Sequence, residues 1–169
     1  IKPDDPHFAR TRLLALENTI TGRAIPRSYL EEALELTKKR NLSTHLDGAR
    51  IFNAAVALKI PARDLCRGFD TVSVCLSKGL GAPAGTLLLG NASIIGKAKR
   101  ARKILGGVMR QAGIIAAAGL YALEQNVERL AEDHANAERL AKGLGDAGYD
   151  VEGPHTNMVF IRIPPDKIP

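Results

Sequence analysis

Asp70-Thr-Val-Ser-Val-Cys-Leu-Ser-Lys-Gly-Leu-Gly-Ala-Pro-Ala-Gly85 is the stretch that decides the fold. Its first eight residues form an apolar, strand-like run, and Lys78 ends that run at the mouth of a glycine-rich turn, Gly79 to Gly85. A short apolar run rich in β-branched residues and bounded by glycine reads as a buried strand. A lysine at the carboxyl end of such a strand is poorly explained by packing or solubility. Beside small residues that let another molecule approach the backbone, Lys78 reads as a nucleophilic amine, since an amine in a partly desolvated site loses its proton more easily. The alternative is a lysine that snorkels out of a strand end with its charge in water.

A second constellation, His45-Leu-Asp-Gly-Ala-Arg50, precedes the apolar run Ile51 to Leu58 and reads as a short strand turning into a helix. Asp47 and Arg50 therefore sit at a strand's carboxyl end, as Lys78 does. In open α/β sheets, ligands gather outside the carboxyl ends of the strands, so the two segments can face one crevice if their strands are neighbours. An amine that forms a Schiff base, paired with a carboxylate, is what a pyridoxal phosphate site needs: the carboxylate keeps the pyridine nitrogen protonated and the ring an electron sink. Asp47 is the candidate carboxylate. Arg50, a planar fixed cation, suits the ring's phenolic oxygen or a substrate carboxylate. Asp47 is equally suited to cap the helix that follows, and the two roles are compatible.

Outward from these segments, elements alternate as a parallel sheet requires. Arg12 to Leu16 reads as a strand, and Arg27 to Arg40 as an amphipathic helix with Leu30, Ala33, Leu34 and Thr37 on one face. Ser43 to Asp47 is the next strand, Arg50 to Leu58 a helix, Ala62 to Cys66 a short helix, and Thr71 to Ser77 the lysine-bearing strand. Gly85 to Gly90 is a strand that turns back, because a short loop suits an antiparallel neighbour whereas helical crossovers suit parallel ones. Asn91 to Leu105 and Gln111 to Leu144 read as helical, the second bent or interrupted, and Asn157 to Ile163 as a final strand.

With 45% apolar and 25% charged residues, the chain is ordinary for a soluble fold, and 169 residues can bury a single core. Cys66 and Cys75 are not spaced as a redox or zinc motif and read as reduced core thiols, which favours the cytoplasm; no metal site is expected. No apolar run is long enough to cross a bilayer, and no secretory signal opens the chain. The net charge of +6 draws on Lys97-Ala-Lys-Arg-Ala-Arg-Lys103, but on a helix these cations spread around the circumference with no stacking aromatics between them. They read as a solvated face with one or two cations turned to a phosphate or a partner subunit, and neither nucleic acid nor membrane is an expected partner.

The words around these residues resemble a family. Leu16-Glu-Asn-Thr19, His45 to Asn53 (His-Leu-Asp-Gly-Ala-Arg-Ile-Phe-Asn), Cys75-Leu-Ser-Lys-Gly-Leu-Gly-Ala-Pro83 and Met109-Arg-Gln111 are similar to those of low-specificity threonine aldolases. These are pyridoxal phosphate enzymes with the aspartate aminotransferase fold, and the likeness runs from about His7 to the chain's end. The resemblance implies an α/β fold, a mostly parallel sheet flanked by helices, in the large domain of fold type I enzymes. It implies that Lys78 holds pyridoxal 5'-phosphate covalently, that Asp47 pairs with its pyridine nitrogen, and that Arg50 sits beside ring and substrate. It places His7 near the substrate hydroxyl, and Arg110 and Lys103 near the site at a subunit boundary of a homo-oligomer. The reaction implied is retro-aldol cleavage of threonine or allo-threonine to glycine and acetaldehyde.

Where the family usually has histidine and asparagine after Glu-Asn-Thr, this chain has Ile20 and Thr21. The family's phosphate loop and ring-stacking histidine come from sequence before His7, and its substrate-carboxylate arginine from a small domain after the last strand. The chain thus reads as the central part of such an enzyme, with residues 1–163 a partial large domain, truncated at both ends, and residues 164–169 the start of a link to the small domain. Two other readings remain open: another fold type I lyase acting by β-elimination, and a catalytically silent fragment that serves as a subunit-interaction module.

Overall fold

Alternation of large apolar with small or polar side chains organises the sheet, because successive residues of a strand face opposite sides. In the computed structural model, which describes residues 1–164, four strands pair in the order β1 (Leu13–Glu17), β2 (Ser43–Gly48), β3 (Thr71–Cys75) and β4 (Thr86–Gly90). The first three run parallel and β4 returns antiparallel to β3, as its short connection demands. The registers align Leu16, Leu46, Val72 and Leu89 across one face, and Glu17, Asp47, Ser73 and Leu88 across the other.

The first face is the core. Helices α1 (Arg27–Lys39), α2 (Ile51–Leu58) and α3 (Ala62–Cys66) supply Leu30, Ile51, Ala54 and Leu65 to pack on Leu46, Val72 and Val74, all buried. The expected apolar stripe of α1 is in place: Leu30, Leu34 and Thr37 are buried and Ala33 is half-buried. The register of β2 on β3 is pinned where β3 begins. There the Asp70 carboxylate accepts the Thr44 backbone N–H (2.7 Å) and hydroxyl (3.1 Å), while the Asp70 N–H donates to Thr44 Oγ1 (2.9 Å).

The opposite face, with Ala15 and Glu17 exposed and His45 and Ser73 half-buried, is not closed by a comparable helical layer among the described residues. Cys75 lies on this face beside Ser77, so it is not a core thiol as its apolar neighbours suggested; the pleat turns Val72, Val74 and Leu76 inward and Cys75 out. Beyond β4, α4 (Ala92–Ile104) starts at Asn91, whose Oδ1 accepts the Ile94 N–H at 2.9 Å, an N-cap that satisfies one orphan donor of the first turn. The expected interrupted helix is two, α5 (Gly113–Gln125) and α6 (Leu130–Asp146), and Leu130 and Ala122 form a second small core with Leu76, Leu80 and Ala82.

The chain closes with an antiparallel hairpin of β5 (Asp150–His155) and β6 (Met158–Arg162), a sheet separate from the first. Only its second strand was legible in the sequence, because Gly153 and Pro154 are poor strand residues and hide the first. The proposed link falls mostly on residues 165–169, outside the described residues.

Candidate active site

Asp47 and Lys78 come from adjacent parallel strands, at the carboxyl ends where β2 turns into α2 and where β3 leads into the glycine turn. In register, Asp47 stands beside Ser73, and one carboxylate oxygen, Oδ1, collects both local donors: the Ala49 N–H at 2.9 Å and the Ser73 hydroxyl at 3.3 Å. Asp47 is therefore oriented by its own turn and by β3, while its second oxygen has no hydrogen-bond partner among the described residues. The expected helix-cap role of Asp47 is not met: Arg50 is the residue at the N-cap position, no side chain caps α2, and the Ala49 N–H that Asp47 accepts lies ahead of the helix, in the turn leading into it.

Arg50, half-buried at the start of α2, has its Nε–H buried without an acceptor, one of two such orphaned side-chain atoms among the described residues; the other is the hydroxyl of Thr19. Buried donors without partners are rare because each forfeits its hydrogen bonds to water, and they concentrate where a ligand completes the set. Thr19 follows Asn18, whose N–H bonds the Asp47 carbonyl at 2.9 Å, so the end of β1 is tied to this same corner.

Lys78 is exposed, and its direction of departure from β3 is set by a firmly held turn. Gly81 N–H returns to the Lys78 carbonyl (2.9 Å), Ala82 N–H to the Leu76 carbonyl (2.9 Å), and Leu76 N–H to Gly85 (2.9 Å). Asn126, at the end of α5, donates Nδ2 to the Leu80 carbonyl at 2.8 Å. Gly79 is favoured here for space, not for its dihedral freedom: a Cβ on it would lie 2.8 Å from Asn53 Oδ1 and 2.9 Å from Leu130 Cδ2, so those side chains would have to shift.

The donor set suits pyridoxal phosphate. An oriented carboxylate with a free oxygen can hold a protonated pyridine nitrogen, an unpartnered arginine N–H can take an anionic oxygen, and a primary amine on a rigid turn can hold an aldehyde carbon. Among the described residues no cluster of three or more His, Cys, Asp or Glu side chains could hold a metal ion.

Among the described residues, no hydrogen bond joins the remaining candidates to this corner. His7 is 86% exposed and pairs through Nδ1 with Asp5 Oδ1 at 2.8 Å. The His7 backbone N–H, and then its ring, hold the Asp5 carboxyl below its ordinary range. Lys103, in the last turn of α4, and Arg110, in the α4–α5 connection, are exposed. Near them Ile104, Leu105, Met109 and Ile114 stand more than half exposed.

Several residues of the corner were not singled out from the sequence. Ser73 hides within an apolar strand, whereas Asn53 and Asn126 are polar residues inside helical runs, a pattern that could have drawn notice. His134 and His155 showed no partner in the sequence; the structure gives His134 to Asn53 (3.2 Å) and His155 to Arg23, whose Nε donates to its Nε2 at 3.0 Å. Arg23 also reaches Glu152 (2.6 Å), and the Thr156 hydroxyl donates to the Gly22 carbonyl (2.8 Å). The turn holding Ile20 and Thr21 is thereby docked on the β5–β6 hairpin. Gly22, at φ +83°, is irreplaceable in that docking because a Cβ on it would overlap the His155 carbonyl.

The sequence and fold are similar to those of known proteins. The chain is 56% identical over 163 residues to the low specificity L-threonine aldolase of Escherichia coli, covering 96% of this chain and 49% of the relative. It is 45% identical over 160 residues to low-specificity L-threonine aldolase 1 of Arabidopsis thaliana, covering 91% and 45%. The chain thus spans about half the length of the curated relatives it matches. A solved structure of a candidate L-allo-threonine aldolase from Listeria monocytogenes superposes with a TM-score of 0.77 at 28% identity, over 89% of this chain and 43% of that one. The profile of the beta-eliminating lyase family matches residues 1–164, nearly the whole chain. By that match, on a mixed sheet that gathers a carboxylate, an arginine and a lysine at its carboxyl edge, the chain belongs to the beta-eliminating lyase family.

Proposed function

We propose that this chain is the cofactor-binding part of a pyridoxal 5'-phosphate-dependent aldehyde-lyase that cleaves L-threonine, and allo-threonine, to glycine and acetaldehyde. One observation carries the reading. The carboxyl edge of two adjacent parallel strands offers an oriented carboxylate with a free oxygen, an arginine with an unpartnered buried N–H, and a primary amine on a held turn. The identity with two curated threonine aldolases supports the choice of reaction.

When bound, the cofactor supplies an electron-poor ring that takes up the electron pair left on Cα as the Cα–Cβ bond breaks. The chain's own residues do the rest. Lys78 Nζ would hold the cofactor through its aldehyde carbon. Asp47 keeps the proton on the pyridine nitrogen, with the Ala49 N–H and Ser73 hydroxyl fixing the carboxylate through Oδ1. Arg50 binds the ring's phenolic oxygen or the substrate carboxylate. His7, whose Nδ1 is engaged by Asp5, has Nε2 free to accept the proton of the substrate's β-hydroxyl, directly or through water.

Lys103 and Arg110 approach the site at a subunit boundary, and the exposed apolar side chains near them support a homo-oligomer. No helix among the described residues is long and apolar enough to cross a membrane, and two free cysteines support a cytoplasmic setting. The test is made on the native protein with Lys78→Ala and Asp47→Ala. Lys78→Ala abolishes covalent cofactor attachment and turnover, and Asp47→Ala retains attachment but loses most turnover. An undiminished rate in either removes that residue from the mechanism. Glycine with acetaldehyde as products supports the aldolase, whereas ammonia with a keto acid identifies β-elimination instead.

A further inference from the structure

Asn53 is a polar residue in the most apolar helix of the core, and it is 2% exposed. It sits on α2, one turn after Arg50, and its amide meets two other parts of the chain. Its Nδ2 lies 3.2 Å from Nε2 of His134 on α6. Its Oδ1 lies under Gly79, so close that a Cβ there would be 2.8 Å away, and Leu130 of α6 closes the same spot at 2.9 Å. Because the amide nitrogen can only donate, His134 accepts through Nε2 and carries its own proton on Nδ1. Burial favours that neutral ring: it pushes the His134 pKa below the ordinary value, against the opposing charges of Asp133 and Glu138.

We propose that the Asn53–His134 pair is a positioning device for Lys78. The amide, held by His134, is the floor on which Gly79 rests, so α2 and α6 together set the direction in which Lys78 leaves β3. The segment that carries Asp47 and Arg50 is continuous with α2, and one buried side chain therefore ties both halves of the site into a single geometry. A core asparagine kept only to satisfy its own hydrogen bonds would lower stability when disturbed; a positioning residue changes how well the amine meets its target while the rest of the site binds normally. The inference rests on Lys78 being the attachment point proposed above.

His134→Leu removes the acceptor at similar volume, and His134→Gln restores one through its side-chain carbonyl. Two measurements on the native protein separate the roles. The first is the rate at which added pyridoxal phosphate becomes fixed to Lys78, trapped with borohydride and located by peptide mapping. The second is the affinity for deoxypyridoxine phosphate, which has no aldehyde and needs no amine. His134→Leu is expected to slow fixation about tenfold, as loss of a buried partner displaces the turn. His134→Gln is expected to stay within about twofold of wild type, and the analogue to bind all three proteins within about twofold. If His134→Leu fails to fold, Gly79→Ala perturbs the same contact from the other side, with the same expected split. Undiminished fixation in the leucine variant, or analogue affinity falling in parallel with fixation, overturns the inference. Wild-type protein whose Lys78 takes no label overturns the parent reading and this one with it, so the two failures are told apart by the wild-type lane.

Discussion

Replacing Gly48 with alanine puts one methyl group where β2 and β3 carry the candidate site. Gly48 follows Asp47 and pairs in register with Val74, and a Cβ built on it lies 2.7 Å from the Ser73 carbonyl oxygen and 3.1 Å from Ile51 Cβ. The close neighbour is backbone, which cannot swing aside as a side chain can. To pass from 2.7 Å to an ordinary contact of 3.4 Å, the strands must part by about 0.7 Å at the pair that sets Asp47 beside Ser73. Overpacking of this kind costs about 1–3 kcal/mol. Taking about 2 kcal/mol against a slope of about 2 kcal/mol per molar urea, the unfolding midpoint falls by about 1 M. The same wedge pulls the Ser73 hydroxyl, already at 3.3 Å, away from Asp47, so cofactor affinity should drop together with stability. Equilibrium urea unfolding with pyridoxal phosphate titration reads both. Gly143→Ala is the control: it lies in α6 with nothing near its Cβ, and alanine there should stabilise by about 0.5–1 kcal/mol. A Gly48→Ala protein with an unshifted midpoint and unchanged cofactor affinity would refute the argument that Ser73 closes on this glycine.

Asp70→Ala removes the acceptor of the Thr44 N–H and hydroxyl, and should cost about 1–3 kcal/mol in urea unfolding; a loss below a few tenths would mean the register is held elsewhere. The two thiols should part in reactivity. Burial pushes Cys66 up to about 11, whereas at Cys75 the upward push of burial is outweighed by hydrogen bonds from Ser77 and Thr86 and by the charge of Lys78, leaving its pKa lowered. Iodoacetamide at about pH 8 should therefore label Cys75 first in peptide maps, and preferential labelling of Cys66 would contradict this. His134 is held neutral in the fold with its pKa below 6.5, so as pH falls through that value the unfolded chain takes up the proton first and stability is lost, until the folded ring also titrates. Between about pH 7.5 and about pH 5.5, wild type should lose more stability than His134→Gln, and equal losses would show that His134 is not held neutral.

Legibility in the sequence followed the range of the forces involved. The elements came from local periodicity: the stripe of α1, the β-branched run of β3, and the short link that makes β4 antiparallel are each decided by neighbours within a few residues. Asp47, Arg50 and Lys78 stood out as candidates for the same reason, since each is a charged residue where an apolar strand gives way to glycine and small residues. Cys75 and β5 were misread or missed because the face a strand turns to the core, and the partner of a weak strand, depend on pairing that no local window contains.

By itself, then, the sequence determined the order of strands and helices apart from β5, and the charged residue types that stand at the strand ends, all written in hydrophobic period and residue type. The tertiary structure alone decided what surrounds them. Strand pairing chose Ser73 as the partner of Asp47 and left Arg50 Nε without an acceptor. Packing of α6 on α2 joined Asn53 to His134 across 81 positions, and folding of the hairpin joined Arg23 to His155 across 132. Contacts at that separation depend on how whole elements pack, which no local window of sequence contains, and at the buried Asn53 amide an unpaired donor would also forfeit its hydrogen bond to water.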